Sequence, residues 1–143
     1  MTEQGQRGKV AEKMAQAALD QMNSDFQCFA YERLPDPRAA GGRLAAALCD
    51  YLIWYKGKSI PLEVKSIKHA YLLPKKNLSQ HAKLKKVALA GAWPHVLVYH
   101  SELKKWRIMP IDFFTFNVPS WNLSEFPLFD SVHAAFLSLE IFS

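Results

Sequence analysis

The stretch that most constrains this chain runs from Leu48 to Lys65, two apolar segments joined by Lys56-Gly57. Glycine supplies the positive φ that a two-residue hairpin turn requires. That turn fixes a register in which Tyr55 opposes Lys58, Ile53 opposes Ile60 and Tyr51 opposes Leu62. Asp50 then faces Glu63. Directly opposed side chains stand about 4.5–5.5 Å apart at Cβ, where like charges destabilise a sheet. Both acids lie in apolar surroundings, Ala-Ala-Leu-Cys-Asp50-Tyr-Leu-Ile-Trp and Ile-Pro-Leu-Glu63-Val. Stability alone does not account for two carboxylates in such a place. A hard cation with oxygen ligands resolves the conflict, and so does one proton shared by the pair. Pro61 is the element that could shift this register, by forcing a bulge.

Alternation places Lys65 on the same face as Glu63, with Ile60, Leu62 and Val64 on the opposite, core-facing side. A third acid approaches from a helix. Residues Arg7 to Asn23 have helical periodicity, with Val10, Ala11, Met14, Ala15, Ala18, Leu19 and Met22 on one half of the wheel. Gln16, Asp20 and Lys13 fill the other half. Glu12 falls at the border, where it can lean over the edge of whatever the helix packs on. Two or three carboxylates hold Mg²⁺, which lowers the pKa of its water and engages phosphate oxygen. A lysine beside them orients that water or offsets charge in the transition state. The combination suits hydrolysis of a phosphodiester. The plain alternative is a structural salt bridge among Lys65, Asp50 and Glu63. Glu-x-Lys alone is uninformative: it recurs at Glu102-Leu-Lys104, where the context predicts only an exposed turn.

The remaining chain divides into alternating elements. Phe26 to Glu32 is expected as a strand. An irregular loop from Arg33 to Arg43 follows, with two prolines and a Gly-Gly pair. Leu44 to Tyr55 ends in a strand, and Ser59 to Ile67 is the next. Asn77 to Gly91 is expected as a helix, capped by Asn77 or Ser79 and stopped by Gly91. Val96 to His100 and Trp106 to Pro110 are two further strands, joined by a turn at 101–105. Residues 113–127, rich in aromatics and proline, are expected as a packed loop, and Asp130 as the cap of a last helix with Val132, Phe136 and Leu139 inward. The order is α-β-β-β-α-β-β plus a terminal helix, within one domain spanning 1–143.

Charge placement adds a second signal. Between Lys56 and Lys86 stand nine lysines and one acid, a net +8 in a chain whose total is +5. The remainder therefore carries −3. Such a local field suits a polyanion such as nucleic acid, or a solvated surface kept for solubility. Half the residues are apolar, an ordinary globular balance. The polar N-terminus lacks the apolar segment of a secretory signal, and no apolar run is long enough for a membrane helix. The two cysteines, Cys28 and Cys49, make no disulfide framework and are expected in the core. The expectation is a soluble, cytoplasmic protein that is not secreted. Five scattered histidines show no zinc-ligand spacing, and no Gly-rich phosphate loop is present, so no nucleotide cofactor is expected.

On these residues the chain resembles the PD-(D/E)xK nuclease superfamily, and within it the Holliday junction resolvases of the archaeal and RecU types. Arg7-Gly-Lys-Val-Ala-Glu12 is similar to the family's opening helix with its metal-site glutamate. Leu48-Cys49-Asp50 takes the place of the Pro-Asp element, with cysteine for the usual proline. Leu62-Glu63-Val64-Lys65-Ser66 is similar to the (D/E)xK strand. Asn77-Leu-Ser-Gln-His-Ala-Lys-Leu and Ala-Gly-Ala-Trp-Pro-His-Val-Leu-Val-Tyr are similar to the helix and strand that follow, and Lys104-Lys-Trp-Arg-Ile-Met-Pro110 to the strand after them. The resemblance spans about residues 7–114 and leaves 115–143 as an extension.

The resemblance implies a restriction-endonuclease-like α/β fold, an α-β-β-β-α-β core on a mixed sheet, with an extra strand and a C-terminal helix. It implies Glu12, Asp50 and Glu63 as metal ligands joined by the Val64 carbonyl, and Lys65 as the catalytic lysine. Gln80, at the start of the second helix, would reach the same site or a phosphate, or be a solvated first-turn residue. The implied cofactor is Mg²⁺, with Mn²⁺ as a substitute, and the implied partner is branched DNA, a four-way junction. Family members act as homodimers, matching two sites to two symmetric strands. Arg33, Arg38 and Arg43 around the Gly-Gly loop are candidates for phosphate contacts at the junction centre. Lys68, Lys75, Lys76, Lys83, Lys85 and Lys86 would form a phosphate track. The rival readings are another nuclease of the superfamily, acting on flaps, ends, repair intermediates or specific sites, and a basic DNA-binding protein without catalysis. Trp93, Trp106 and Trp121 are expected in the core or a dimer interface. The aromatic C-terminal region is a candidate interface.

Overall fold

The computed structural model describes residues 3–35 and 47–142. Arg38 and Arg43 lie outside the described residues. The chain opens with α1 (Glu3–Asp25), followed by β1 (Phe29–Arg33), β2 (Tyr51–Tyr55) and β3 (Lys58–Ile67). A short strand β4 (Leu72–Pro74) and a 3-10 turn at Lys75–Asn77 lead to α2 (His81–Leu89). Then come β5 (His95–His100), β6 (Lys105–Pro110), a 3-10 turn at Ile111–Phe113, β7 (Ser120–Asn122), α3 (Val132–Leu137) and a last 3-10 turn at Glu140–Phe142. Five strands form one mixed sheet in the order β1-β2-β3-β5-β6. Only β3 and β5 run parallel, joined through α2, as parallel neighbours require a crossover connection.

The hairpin has the register that its turn dictates: Tyr55 opposes Lys58, Ile53 opposes Ile60 and Tyr51 opposes Leu62. Lys56 and Gly57 both have positive φ, 49° and 79°, the signature of a type I′ turn. Pro61 lies opposite Leu52 without a bulge. The ladder with β5 begins one residue later, at Leu62 and His95.

Alternation along the central strands divides the core between the two faces of the sheet. Ile60, Leu62, Val64 and Leu97 meet the apolar stripe of α1, where Ala11, Ala15, Leu19 and Met22 are fully buried. Full burial of Leu19 or Met22 contributes about 1.5–3 kcal/mol each. The C-terminal segment closes this face with Val132, Ala135 and Phe136. The other face carries Ile67, Val96, Val98 and Met109 against Leu84 of α2, against Leu73 and Trp121 of the small β4–β7 sheet, and against Leu123 just after it.

Several local expectations are corrected. Val10 is half-exposed, so the buried stripe of α1 is narrower than the apolar half of its wheel. The second helix begins at His81, because Lys75–Asn77 forms a separate 3-10 turn after Pro74 and neither Asn77 nor Ser79 caps it. Arg33 ends β1 and is not a loop residue. Residues 113–127 contain β7, which pairs with β4. The last helix is capped by Ser131, whose hydroxyl accepts the Ala134 amide at 3.0 Å, while Asp130 pairs with Lys105. Cys49 is buried as expected, but Cys28 is exposed in the turn before β1. Trp106 and Trp121 are buried. The C-terminal aromatics turn inward: Phe142 stacks on Tyr55 with centroids 4.6 Å apart. No helix among the described residues is long and apolar enough to cross a membrane.

Candidate active site

Asp50 is held at the open end of the hairpin by three polar contacts. Its amide donates to the Leu62 carbonyl at 3.1 Å, and its carbonyl accepts from the Leu34 amide at 2.9 Å. Its side-chain Oδ2 accepts from the Val64 amide at 2.7 Å. The side chain is thereby fixed across β3, beside Glu63.

Glu63 is 5% exposed at the middle of the sheet, on the face opposite α1. Burial pushes its carboxyl far above the usual carboxylate range, to about 9. A hydrogen bond with Asp50 and the Asp50 charge push the same way, as does Glu12, while Lys65 opposes them. Without a cation, Glu63 therefore favours its neutral form at neutral pH. Lys65 projects from the same face two residues on, half-buried. Cys49 packs beneath, its thiol pushed up to about 12 by burial, so it is no nucleophile.

Glu12 approaches from α1 but stops short of the pair. Its Oε2 lies 3.7 Å from Arg33 Nη2 at the end of β1. Its backbone carbonyl accepts from the Tyr51 hydroxyl at 3.3 Å. The Glu12 charge reaches both Glu63 and Tyr51, raising each, with Tyr51 at about 12 chiefly through burial. Among the described residues, no three carboxylate, imidazole or thiol side chains converge to hold a metal ion. The set that converges is Asp50 and Glu63. Mg²⁺ is commonly bound by one or two carboxylates, with waters and substrate phosphates completing its shell. A buried glutamate that must otherwise stay protonated beside a half-buried aspartate fits a hard cation on that basis.

Gln80 stands at the N-cap position of α2 without a side-chain cap bond. Among the described residues it makes no hydrogen bond to Asp50 or Glu63. Of the basic candidates, Arg33 is engaged with Glu12. Lys68 follows β3, Lys75 and Lys76 occupy the 3-10 turn, and Lys83, Lys85 and Lys86 lie on α2. Since α2 packs through Leu84 on the face that carries Glu63, these lysines border the same side of the sheet. Lys83 and Lys86 are exposed, and Lys85 Nζ reaches the Asp112 carbonyl at 3.5 Å.

Two features here were not legible from spacing. Phe116 is 50% exposed among the lysines, with Lys75 Nζ 6.0 Å and Lys85 Nζ 5.7 Å from its ring centroid. Arg107 is buried, with no carboxylate partner among the described residues, and ties β6 to two loops. It donates to the Ala70 carbonyl at 2.6 Å and the Phe126 carbonyl at 2.9 Å, and lies 3.1 Å from His100 Nε2. The Phe113-Phe-Thr-Phe116 run beside a lysine-rich helix was the available signal for the first. Nothing in the sequence marked the second.

The sequence matches no protein-family model and no curated protein. Its structure is similar to that of Hjc, a Holliday junction resolvase from the hyperthermophilic archaeon Archaeoglobus fulgidus. The TM-score is 0.52 at 17% sequence identity, over 86% of this chain and 98% of that one. The chain thus has the mixed α/β fold of an archaeal Holliday junction resolvase.

Proposed function

We propose that this protein is a metal-dependent, structure-selective DNA endonuclease that cuts four-way junctions. The observation that carries the reading is the Asp50–Glu63 pair, Glu63 buried and Asp50 half-buried beside it, with Lys65 on the same face. Its setting supports the same reading. The fold is that of a junction resolvase, and lysines of α2 border the acid-bearing face. Asp50 and Glu63 would hold Mg²⁺ or Mn²⁺ with the Val64 carbonyl, and Glu12 would join once DNA or the ion draws it from Arg33. When bound, the ion supplies charge stabilisation and a water acidic enough to attack phosphorus near neutral pH.

The chain's own residues divide the remaining work. Asp50 is oriented by the Val64 amide, so its second oxygen stays directed at the site. Glu63 would have to release its proton to solvent to serve as a ligand beside Asp50. Lys65 offsets negative charge on the phosphate as the transition state forms. Lys68, Lys76, Lys83 and Lys86 neutralise backbone phosphates without reading sequence. A homodimer would present one such site to each of two symmetric strands.

The test is cleavage of a synthetic four-way junction beside a linear duplex of the same sequence, with Mg²⁺ and with EDTA. Mg²⁺-dependent cutting of the junction in preference to the duplex is expected. Equal cutting of both would point to another nuclease activity. Binding without cutting in any divalent ion would leave only a basic DNA-binding protein.

A further inference from the structure

We infer that Phe116 and the lysines around it form a second DNA subsite, which stacks one unpaired base of a branched or single-stranded substrate. The inference rests on the DNA-directed reading of this face and specifies what part of the DNA the face holds.

Phe116 borders an open depression of about 520 Å³, lined also by Lys75, Lys76, Ser79, His81 and Ala82. Among the described residues no carboxylate lines it, and two lysines do, a charge that favours phosphate. The ring is supported from below: it packs on the His81 ring, with centroids 4.6 Å apart. His81 is itself fixed, its Nε2 2.6 Å from the Phe114 carbonyl and its ring edge-on to Trp121. Burial holds His81 below the usual histidine range, and Lys85 and Lys75 push it further down. The support is therefore a ring fixed on two sides.

The contrast with its neighbour is informative. Phe114, two residues earlier, is fully buried, whereas Phe116 keeps half its surface in water. Its outer partners are the lysine ammonium groups, each near the limit of cation–π contact. Flexible lysine side chains can move from ring to phosphate when a nucleotide arrives. An aromatic face with cations at its rim is the arrangement that holds a single strand, through stacking plus backbone neutralisation. Bases inside a duplex are already stacked, so the occupant is an unpaired base, as at a branch point or in a single strand.

The experiment measures binding of wild type, Phe116→Ala, Phe116→Trp and Lys85→Ala to two fluorescent single-stranded oligonucleotides by anisotropy. One is oligothymidine, and the other has the same length with abasic sites throughout. Wild type is expected to bind the base-bearing strand about tenfold more tightly. Phe116→Ala should lose that preference, Phe116→Trp should keep it, and Lys85→Ala should weaken both strands alike. Phe116 is half-exposed, so its substitution should spare the fold, which circular dichroism of each variant checks. A Phe116→Ala protein with the wild-type preference overturns the subsite, as does a wild type with no preference. If that same wild type still binds and cuts junctions, the endonuclease reading stands without the subsite. If wild type binds no DNA at low salt, both fall together.

Discussion

The Asp50 side chain accepts the Val64 amide hydrogen across the open end of the hairpin, at 2.7 Å. This one bond sets the carboxylate against Glu63 and occupies a donor that β3 would otherwise leave buried. It separates what the Asp50 side chain does for the fold from what its charge does to the neighbouring acid.

The separation gives the first prediction. Asp50→Asn keeps an oxygen for the Val64 amide and gains an NH₂ that can donate to the Glu63 carboxylate. The variant should be as stable as wild type or more so in EDTA, because ionising Glu63 no longer sets a second negative charge beside residue 50. Asp50→Ala strands the Val64 amide and should cost about 1–3 kcal/mol. At Mg²⁺ one hundred times its dissociation constant, wild type should gain about 2.7 kcal/mol and Asp50→Asn little. Thermal melts with and without Mg²⁺ read all three. A structural salt bridge with Lys65 predicts the reverse order in EDTA.

The acid pair also sets a pH dependence. The Glu63 carboxyl titrates at about 9 in the fold against 4.5 when free. A raised value means that the folded state holds the proton more tightly, so this contribution is complete below about pH 4.5 and lost as pH rises towards 9. His95 acts oppositely: burial lowers it from 6.5 to about 4. Its contribution is complete above pH 6.5 and lost as pH falls towards 4. Metal-free wild type should therefore lose stability on both sides. Glu63→Gln should remove the alkaline limb and keep the acid one. Urea denaturation between pH 4 and 9 in EDTA checks this, and an unchanged alkaline limb would contradict it.

Much of this site is legible in the sequence because a two-residue turn leaves the hairpin no freedom of register. Once Lys56-Gly57 is the turn, the proximity of Asp50 and Glu63 follows, and Pro61 does not disturb it. The reach of Glu12 was less legible, since a wheel gives its angle and says nothing of Arg33, which holds it at the sheet edge. Strands β4 and β7 escaped because three residues carry no alternation and their partners lie far apart in sequence. The aromatic C-terminal region suggested an exposed interface, yet Phe114, Trp121 and Phe136 serve this chain's own core. Composition cannot tell an inward-facing aromatic from an outward-facing one.

The lysine track predicts a salt dependence. The logarithm of DNA affinity should fall linearly with the logarithm of salt concentration, by about 0.9 per phosphate neutralised. Changing Lys83, Lys85 and Lys86 to alanine should weaken junction binding and flatten that slope by about 0.9 for each lysine that holds a phosphate. An unchanged slope would assign these lysines to solubility alone.

Assembly is tested separately. Two symmetric cuts require two sites, so sedimentation at micromolar concentration should show a dimer without DNA. A 16.3 kDa monomer with and without a junction would count against paired cleavage.

The central claim, that Asp50 and Glu63 form a catalytic pair, is tested most directly by junction cleavage with wild type and Asp50→Asn at saturating protein and Mg²⁺. Saturation removes any difference in DNA affinity, so the rates compare the chemical site alone. Mg²⁺-dependent cutting by wild type is expected, with a rate at least about 100-fold lower for the variant, by analogy with loss of one transition-state-stabilising group. Junction binding should be retained. An Asp50→Asn protein that binds the junction and cuts it at the wild-type rate would contradict the account.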